Sequence, residues 1–82
     1  MIKRTVIVNS SMEARPAALF VQTASKFQSS IFVTIDNKTA NAKSIMGMMS
    51  IGILNGHEIT IKAEGSDEEV AVVELGKFFS GV

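Results

Sequence analysis

The sequence contains no cysteine, a single proline and no excess of charge of either sign. Without cysteine, neither a disulfide framework nor a cysteine-based zinc site can form. Lys and Arg together number 8, as do Asp and Glu, so the formal net charge is zero. This balance argues against a strongly basic nucleic-acid-binding protein and against a polybasic membrane anchor.

Long apolar runs are also absent: the apolar runs that occur are far too short to span a bilayer. Residues 1–4 are not followed by the apolar region of a signal peptide. A length of 82 residues, of which 46% are hydrophobic, predicts one folded domain, residues 1–82, with one core. No nucleophile–base pair, metal cluster or phosphate-binding loop is evident, so we expect a soluble protein that is not an enzyme and has neither metal nor cofactor.

Strand and helix patterns alternate along the chain in the order β-α-β-β-α-β-α. β-Branched or alternating residues predict strands at 5–8, 31–35, 39–42 and 58–62. Asp36 and Asn37 predict a tight turn between the second and third strands, because both residue types tolerate the left-handed region. Ser66 and Glu69 have the spacing of a capping box. The helix that follows is predicted to be amphipathic, with an apolar face made of Val70, Val73, Leu75, Phe78 and Phe79.

A charged residue stands immediately before the first helix, in Glu13-Ala14-Arg15-Pro16. Pro16 fits the first turn of a helix, where its missing N–H costs nothing. An apolar stripe follows at helical spacing: Ala17, Phe20, Val21, Ala24 and Phe27. Glu13 should therefore lie at a helix N-terminus with Arg15 close by, and both effects favour its ionised form.

A second, shorter helix is predicted after Ser44, which can act as its N-cap. This helix is too short to bury all of Met46, Met48 and Met49, so at least one of them should be exposed. We expect Ile45, Met46 and Met49 to form an apolar surface patch beside Ser44. Methionine side chains adapt to differing partner surfaces, which suits a docking patch.

Three blocks resemble the HPr family, the histidine-containing phosphocarriers of bacterial sugar uptake. They are residues 14–27, with Ala-Arg-Pro-Ala, residues 41–50, with Lys-Ser-Ile-Met-Gly, and residues 56–65. The resemblance implies an α+β open-faced sandwich. Its four-stranded antiparallel sheet, in spatial order 1-4-2-3, is covered on one face by three helices. It also implies a cytoplasmic location.

One position departs from the family, because Glu13 stands where HPr carries the histidine that passes a phosphoryl group from Enzyme I to a sugar permease component. Neutral imidazole is nucleophilic and forms a labile phosphoramidate, so we expect no phosphohistidine here. Loss of the histidine with a retained serine block resembles the Crh subgroup of Gram-positive bacteria, whose members usually carry glutamine there. Glu13 is either an ordinary favourable charge at a helix start or a partial mimic of phosphohistidine.

The resemblance makes Ser44 the target of HPr kinase/phosphorylase, and the phosphoserine form a corepressor of CcpA in carbon catabolite repression. Ser44 as a simple helix cap is the alternative. The resemblance also assigns residues to partner docking, and we include Glu13 among them: Glu13, Arg15, Ala18, Lys43, Ile45, Met46 and Met49.

Two further functions fit the same blocks. One is an HPr phosphocarrier with a substituted active-site residue, which would still dock on Enzyme I and permease components. The other is an HPr-like interaction module in an unrelated pathway. The chain is expected to be a monomer or a dimer that exchanges its first strand. His57, which follows a turn, is expected to be an exposed residue and not a displaced phosphoacceptor.

Overall fold

Seven elements form, in the predicted order, in the computed structural model, which describes residues 1–8, 14–51 and 56–80 and gives only the backbone of residues 14–16 and 80. The strands are β1 (Ile2–Ile7), β2 (Ser30–Ile35), β3 (Lys38–Asn41) and β4 (Glu58–Glu64). The helices are α1 (Ala14–Ser25), α2 (Ile45–Ser50) and α3 (Glu68–Ser80). The sheet is antiparallel in the order β1-β4-β2-β3, which confirms the predicted open-faced sandwich.

The two faces of the sheet differ in chemistry because side chains alternate along each strand. Ile31, Val33 and Ile35 of β2 point to the helices and are buried. On the opposite face, register aligns one threonine from each strand in a row, Thr5, Thr60, Thr34 and Thr39. The hydroxyls of the first two are 3.2 Å apart and those of the last two 3.0 Å apart. The helices therefore cover one face only.

An aromatic cluster joins α1 to α3 at the centre of the core. The ring of Phe20 lies 5.4 Å from that of Phe78, edge to face, and 5.2 Å from that of Phe79. The buried apolar residues around this cluster come from all seven elements or their flanks: Val8, Ala17, Phe20, Val21, Ala24, Ile31, Val33, Ile35, Ala40, Ala42, Met48, Ile51, Ile59, Ile61, Ala63, Ala71, Val72, Leu75 and Phe79. This core holds the helices against the sheet and so sets where α2 lies.

α3 buries only part of the predicted face: Leu75 and Phe79 are buried, but the two predicted valines are not. Val70 is 56% exposed and Val73 is 44% exposed, whereas Ala71, Val72 and Leu75 are buried. Valines at 70, 72 and 73 give the helix apolar residues on both sides, so their spacing alone could not select the inner face.

The N-terminal cap of α3 also differs from the predicted Ser66–Glu69 box. The helix begins at Glu68, and the N–H of Gly65 donates to Glu68 Oε1 at 3.1 Å. In return, the N–H of Glu68 donates to the backbone carbonyl of Gly65 at 3.3 Å, so a glutamate side chain accepts from a backbone N–H one residue earlier than predicted and no serine takes part.

The predicted turns are confirmed where they are described. Asp36 has a positive φ of 53° in the two-residue turn between β2 and β3. Gly56, with a φ of 91°, precedes His57, whose side chain is exposed as expected. Among the residues that the structure describes, no helix has the length and apolar character needed to cross a membrane.

Candidate functional site

Ser44 lies at the junction between β3 and α2. Asn41 ends β3, and its side-chain Oδ1 accepts a hydrogen bond from the N–H of Lys43 at 2.8 Å, while its backbone carbonyl accepts one from the N–H of Ser44 at 3.0 Å. Ser44 itself is extended, with φ −116° and ψ 116°, and its Oγ accepts from the N–H of Gly47 at 3.1 Å. Ser44 is therefore the N-cap of α2, as predicted.

Gly47 leaves room beside this hydroxyl. A Cβ at position 47 would lie 3.3 Å from Ser44 Oγ, which is a tight contact, and 3.5 Å from the Cβ of Ala40, which is an ordinary van der Waals contact. Ser44 is half-buried, so one side of it meets the protein and the other meets solvent. The glycine in the Lys-Ser-Ile-Met-Gly block thus has a local steric reason to be small.

The exposed side chains of α2 form an apolar surface, here called the α2 patch and defined as Ile45, Met46 and Met49. Met46 is 80% exposed, and the other two are each exposed by nearly half. Met48, in contrast, is 1% exposed and belongs to the core. The expectation that the short helix exposes part of its methionine cluster beside Ser44 is confirmed.

An exposed apolar residue on α1 was missed by sequence reasoning. Leu19 is 51% exposed, next to the half-buried Ala18, and α1 packs directly against α2. The sequence did contain a signal for this exposure: Leu19 does not belong to the apolar stripe of Ala17 and Phe20, and a leucine outside the buried face of a helix is left exposed to solvent. Leu19 is therefore a further candidate for partner docking.

The side chain of Lys43 reaches the segment that follows α1. Its Nζ donates to the backbone carbonyl of Phe27 at 2.9 Å, and the residue is half-buried. Phe27 lies two residues beyond the end of α1, where the last turn is tightened by hydrogen bonds from Lys26 N to Thr23 O and from Phe27 N to Ala24 O, each 3.2 Å. A lysine at a helix C-terminus is favourably placed for the unsatisfied carbonyls.

The residues around the first helix start are only partly described. Arg15 is in the first turn of α1, as predicted, but its side chain and the whole of Glu13 lie outside the described residues. The ionised state of Glu13 and its proximity to Arg15 therefore stay predictions. Within the described part of the chain, no group of three His, Cys, Asp or Glu side chains could hold a metal ion.

A hydrogen-bond network that the sequence did not reveal joins the end of α1 to the start of α3. Asp67 accepts from the N–H of Gln28 at 2.8 Å, from the N–H of Ser29 at 3.0 Å and from the Ser29 hydroxyl. Among the polar residues whose burial the structure describes, Ser29 is the one that is buried. The Ser29 hydroxyl first, then the Gln28 N–H, lower the pKa of Asp67 below its ordinary value, because each favours the carboxylate.

Acid is expected to weaken this network. Because the pKa of Asp67 is lower in the folded chain, its stabilising contribution is complete above the unfolded-state pKa of about 3.9 and disappears as pH falls through the folded-state value. In Asp67→Asn this contribution is missing at every pH. Urea denaturation between about pH 5 and pH 2 should show a steeper acid loss for the unmodified chain than for the variant. Glu69→Gln, an exposed acid on α3, is the matched control and should keep the steeper slope; equal slopes for all three proteins would contradict the prediction.

The chain matches the family model for the phosphorylation site of the PTS HPr component over residues 2–80. It is 46% identical over 76 residues to the HPr-like protein Crh of Bacillus subtilis, covering 93% of this chain and 89% of that protein. It is 49% identical over 80 residues to the HPr-like protein Crh of Halalkalibacterium halodurans, covering 95% of each.

Solved structures of HPr and Crh proteins have the same fold as this chain. The phosphocarrier protein HPr of Bacillus anthracis superposes with a TM-score of 0.91 at 49% identity, with 95% of each chain covered. Crh of Bacillus subtilis, whose crystal structure is a domain-swapped dimer, superposes with a TM-score of 0.81 at 43% identity, covering 99% of this chain and 95% of that one.

Fold and site together define a small open-faced sandwich in which a serine caps a short helix beside an apolar patch. With a family match over residues 2–80 and relatives near half identity over most of their length, the chain belongs to the HPr family.

Proposed function

We propose that this chain is a regulatory member of the HPr family, of the Crh kind, that is phosphorylated on Ser44 by HPr kinase/phosphorylase. The phosphorylated protein then acts as corepressor of a CcpA-type repressor in carbon catabolite repression, in the cytoplasm. The observation that carries the proposal is the placement of the Ser44 hydroxyl at the N-cap of α2, next to the exposed α2 patch.

The local structure suits a phosphate at Ser44. Its Oγ accepts a hydrogen bond from the N–H of Gly47. Phosphate oxygens attached to this Oγ would therefore lie beside the N–H groups of the first turn of α2. Added negative charge at the start of a helix is favourable, so phosphorylation should leave the fold intact. Its effect would be to place about two negative charges at the edge of an apolar docking surface.

The sequence at position 13 supports regulation over phosphotransfer. Glu13 has no imidazole nitrogen that could form a phosphoramidate, and a glutamyl acyl phosphate would need chemistry for which the described residues offer no acidic metal site. Glu13, Arg15 and Ala18 are proposed to contribute to docking, with Lys43 and the α2 patch. A mimicry of phosphohistidine by Glu13 predicts that Glu13→Gln weakens binding of the Ser44-phosphorylated protein to the repressor.

A phosphocarrier with a substituted active-site residue is the second candidate. It is favoured by one observation: identity to HPr of Bacillus anthracis, at 49%, equals or exceeds identity to the two Crh relatives. Under this alternative, Enzyme I and sugar permease components would be the partners.

The oligomeric state belongs to the same proposal, which allows a monomer or a strand-exchanged dimer. β1 lies at an edge of the sheet, pairs with β4 alone and exposes most of its side chains. Such a strand can be replaced by the same strand of a second copy without loss of its pairing. Crh of Bacillus subtilis, a relative with the same fold, is known as a domain-swapped dimer.

Incubation with ATP and HPr kinase/phosphorylase is expected to add one phosphate, on Ser44, and Ser44→Ala should abolish it. Ser50→Ala is the matched control, because Ser50 is an exposed serine at the other end of α2 whose hydroxyl donates to the carbonyl of Gly47. Intact-protein mass spectrometry measures the incorporation. Absence of phosphate on the unmodified chain would overturn the proposal.

The phosphocarrier alternative is tested separately with phosphoenolpyruvate and Enzyme I. We expect no incorporation into the unmodified chain, because Glu13 replaces the phosphoacceptor histidine. Phosphate on Glu13 or His57 would establish the alternative in place of the regulatory function.

A further inference from the structure

The segment between α1 and β2 is attached to two other parts of the molecule by polar contacts. On one side, the ammonium of Lys43 donates to the carbonyl of Phe27. On the other, the N–H groups of Gln28 and Ser29 and the Ser29 hydroxyl donate to the carboxylate of Asp67. Residues 27–29 are therefore fixed between the residue that precedes Ser44 and the residue that precedes α3.

The contact between Lys43 and Phe27 joins a cation to a neutral acceptor. An anionic acceptor attracts an ammonium more strongly than a neutral carbonyl does, because the attraction between opposite charges adds to the hydrogen bond. A phosphate on Ser44 would present such an acceptor on the adjacent residue, with about two negative charges. The lysine side chain has a flexible four-carbon stem, so its ammonium can change partner without movement of the backbone.

The backbone of Lys43 is held independently of its side chain. Its N–H donates to Asn41 Oδ1, and the next N–H, that of Ser44, donates to the carbonyl of Asn41. This turn fixes Lys43 and Ser44 relative to each other and to β3. A change of partner by the ammonium would consequently leave the N-cap in place and alter only the attachment of Phe27.

We infer that Lys43 has two alternative partners: it caps the end of α1 in the unphosphorylated chain and binds the phosphate when Ser44 is phosphorylated. This inference rests on Ser44 being the modified residue. The change of partner has two effects: the ammonium of Lys43 neutralises part of the new charge beside the α2 patch, and the Phe27 carbonyl at the end of α1 is released. Lys43 is thus a positioning residue for the phosphate.

NMR on protein carrying phosphoserine at position 44, introduced during translation, tests this without the kinase. Loss of the hydrogen bond should move the carbonyl ¹³C resonance of Phe27, and Lys43→Met should move it in the same direction in the unphosphorylated chain. Phosphoserine in the Lys43→Met background should then produce no further shift. A Phe27 carbonyl resonance that is unchanged by phosphoserine 44 would overturn the inference.

A ³¹P titration of the same proteins tests the other partner. A nearby ammonium favours the dianion, so Lys43 should hold the second pKa of the phosphate below its usual value near 6, and Lys43→Met should raise it by about half a unit toward that value. Lys43→Arg should restore the lower value because it keeps the charge. Lys26→Met removes an exposed lysine next to Phe27 and should leave the titration unchanged. Equal phosphate pKa values in the unmodified and Lys43→Met proteins would overturn the inference.

These outcomes are separable from those of the proposed function. If the kinase adds no phosphate but translationally introduced phosphoserine displaces Lys43 from Phe27, the proposed function fails and the alternative partners of Lys43 stand. If the kinase phosphorylates Ser44 and the Phe27 resonance does not move, the proposed function stands and this inference fails.

Discussion

Replacement of Gly65 with alanine is expected to lower the free energy of unfolding by about 3 kcal/mol or more. Gly65 has a φ of +155°, and a Cβ there would lie 2.6 Å from both the Cα and the Oγ of Ser29. The Cα belongs to the backbone of a residue held by Asp67, so the clash cannot be relieved by a side-chain rotation. A domain of this length has a total stability of only about 4 to 12 kcal/mol, so much of it would be lost. Urea denaturation at neutral pH measures the effect.

Gly56→Ala is the matched control for that experiment. Gly56 also has a positive φ, +91°, but nothing lies within 4 Å of its added Cβ. It should therefore show only the backbone strain of a non-glycine residue, about 1 to 2 kcal/mol. Equal losses of stability in the two variants would contradict the prediction, because they would show that the contact between residues 65 and 29 adds nothing to the cost of the Gly65→Ala substitution.

Replacement of Met46 with glutamine is expected to weaken binding of the Ser44-phosphorylated chain to a CcpA-type repressor by about tenfold. Met46 is the most exposed member of the α2 patch, and glutamine has a similar length and helix propensity. The substitution therefore removes apolar surface from the proposed interface with little effect on the fold. A tenfold loss corresponds to about 1.4 kcal/mol, which is a fraction of the transfer free energy of a buried methionine. Surface plasmon resonance on the phosphorylated proteins measures it.

Val70→Thr provides the control for the docking surface. Val70 is an apolar residue on α3 with 56% exposure, and threonine keeps its branched shape. The repressor should bind this variant with the affinity of the unmodified protein. Unchanged binding by Met46→Gln, or an equal loss with Val70→Thr, would show that the α2 patch is not the docking surface.

Local patterns were sufficient for the element order and for several turns and caps. Ser44 was predicted to cap α2 because serine is favourable at that position and the methionines follow it directly, and its Oγ does accept the Gly47 N–H. Asp36 was predicted to lie in a turn because its side chain tolerates the left-handed region, and its φ is 53°. The strand order came from the family resemblance, since pairing partners far apart in the chain leave no local signal.

The contacts that organise the candidate site are different in kind. Lys43 and Phe27 are 16 residues apart, and Asp67 and Ser29 are 38 apart. Neither pair could be read from spacing, because any of several lysines or acids could have been placed beside those groups by other packing. At the start of α3, Glu68 and not Glu69 accepts from a backbone N–H, and Asp67, between Ser66 and these glutamates, is bonded to the loop that follows α1.

Composition, periodicity and turn residues thus determined the elements of this protein, because each depends on residues within one or two turns of each other. The family and the candidate modified residue came from the resemblance of three sequence blocks to the HPr family. The orientation of α3, the exposure of Leu19 and the position of the Lys43 ammonium were decided only when the sheet and helices packed. Packing selects among faces and partners that are nearly equivalent locally, and it does so through burial and hydrogen bonds between distant segments.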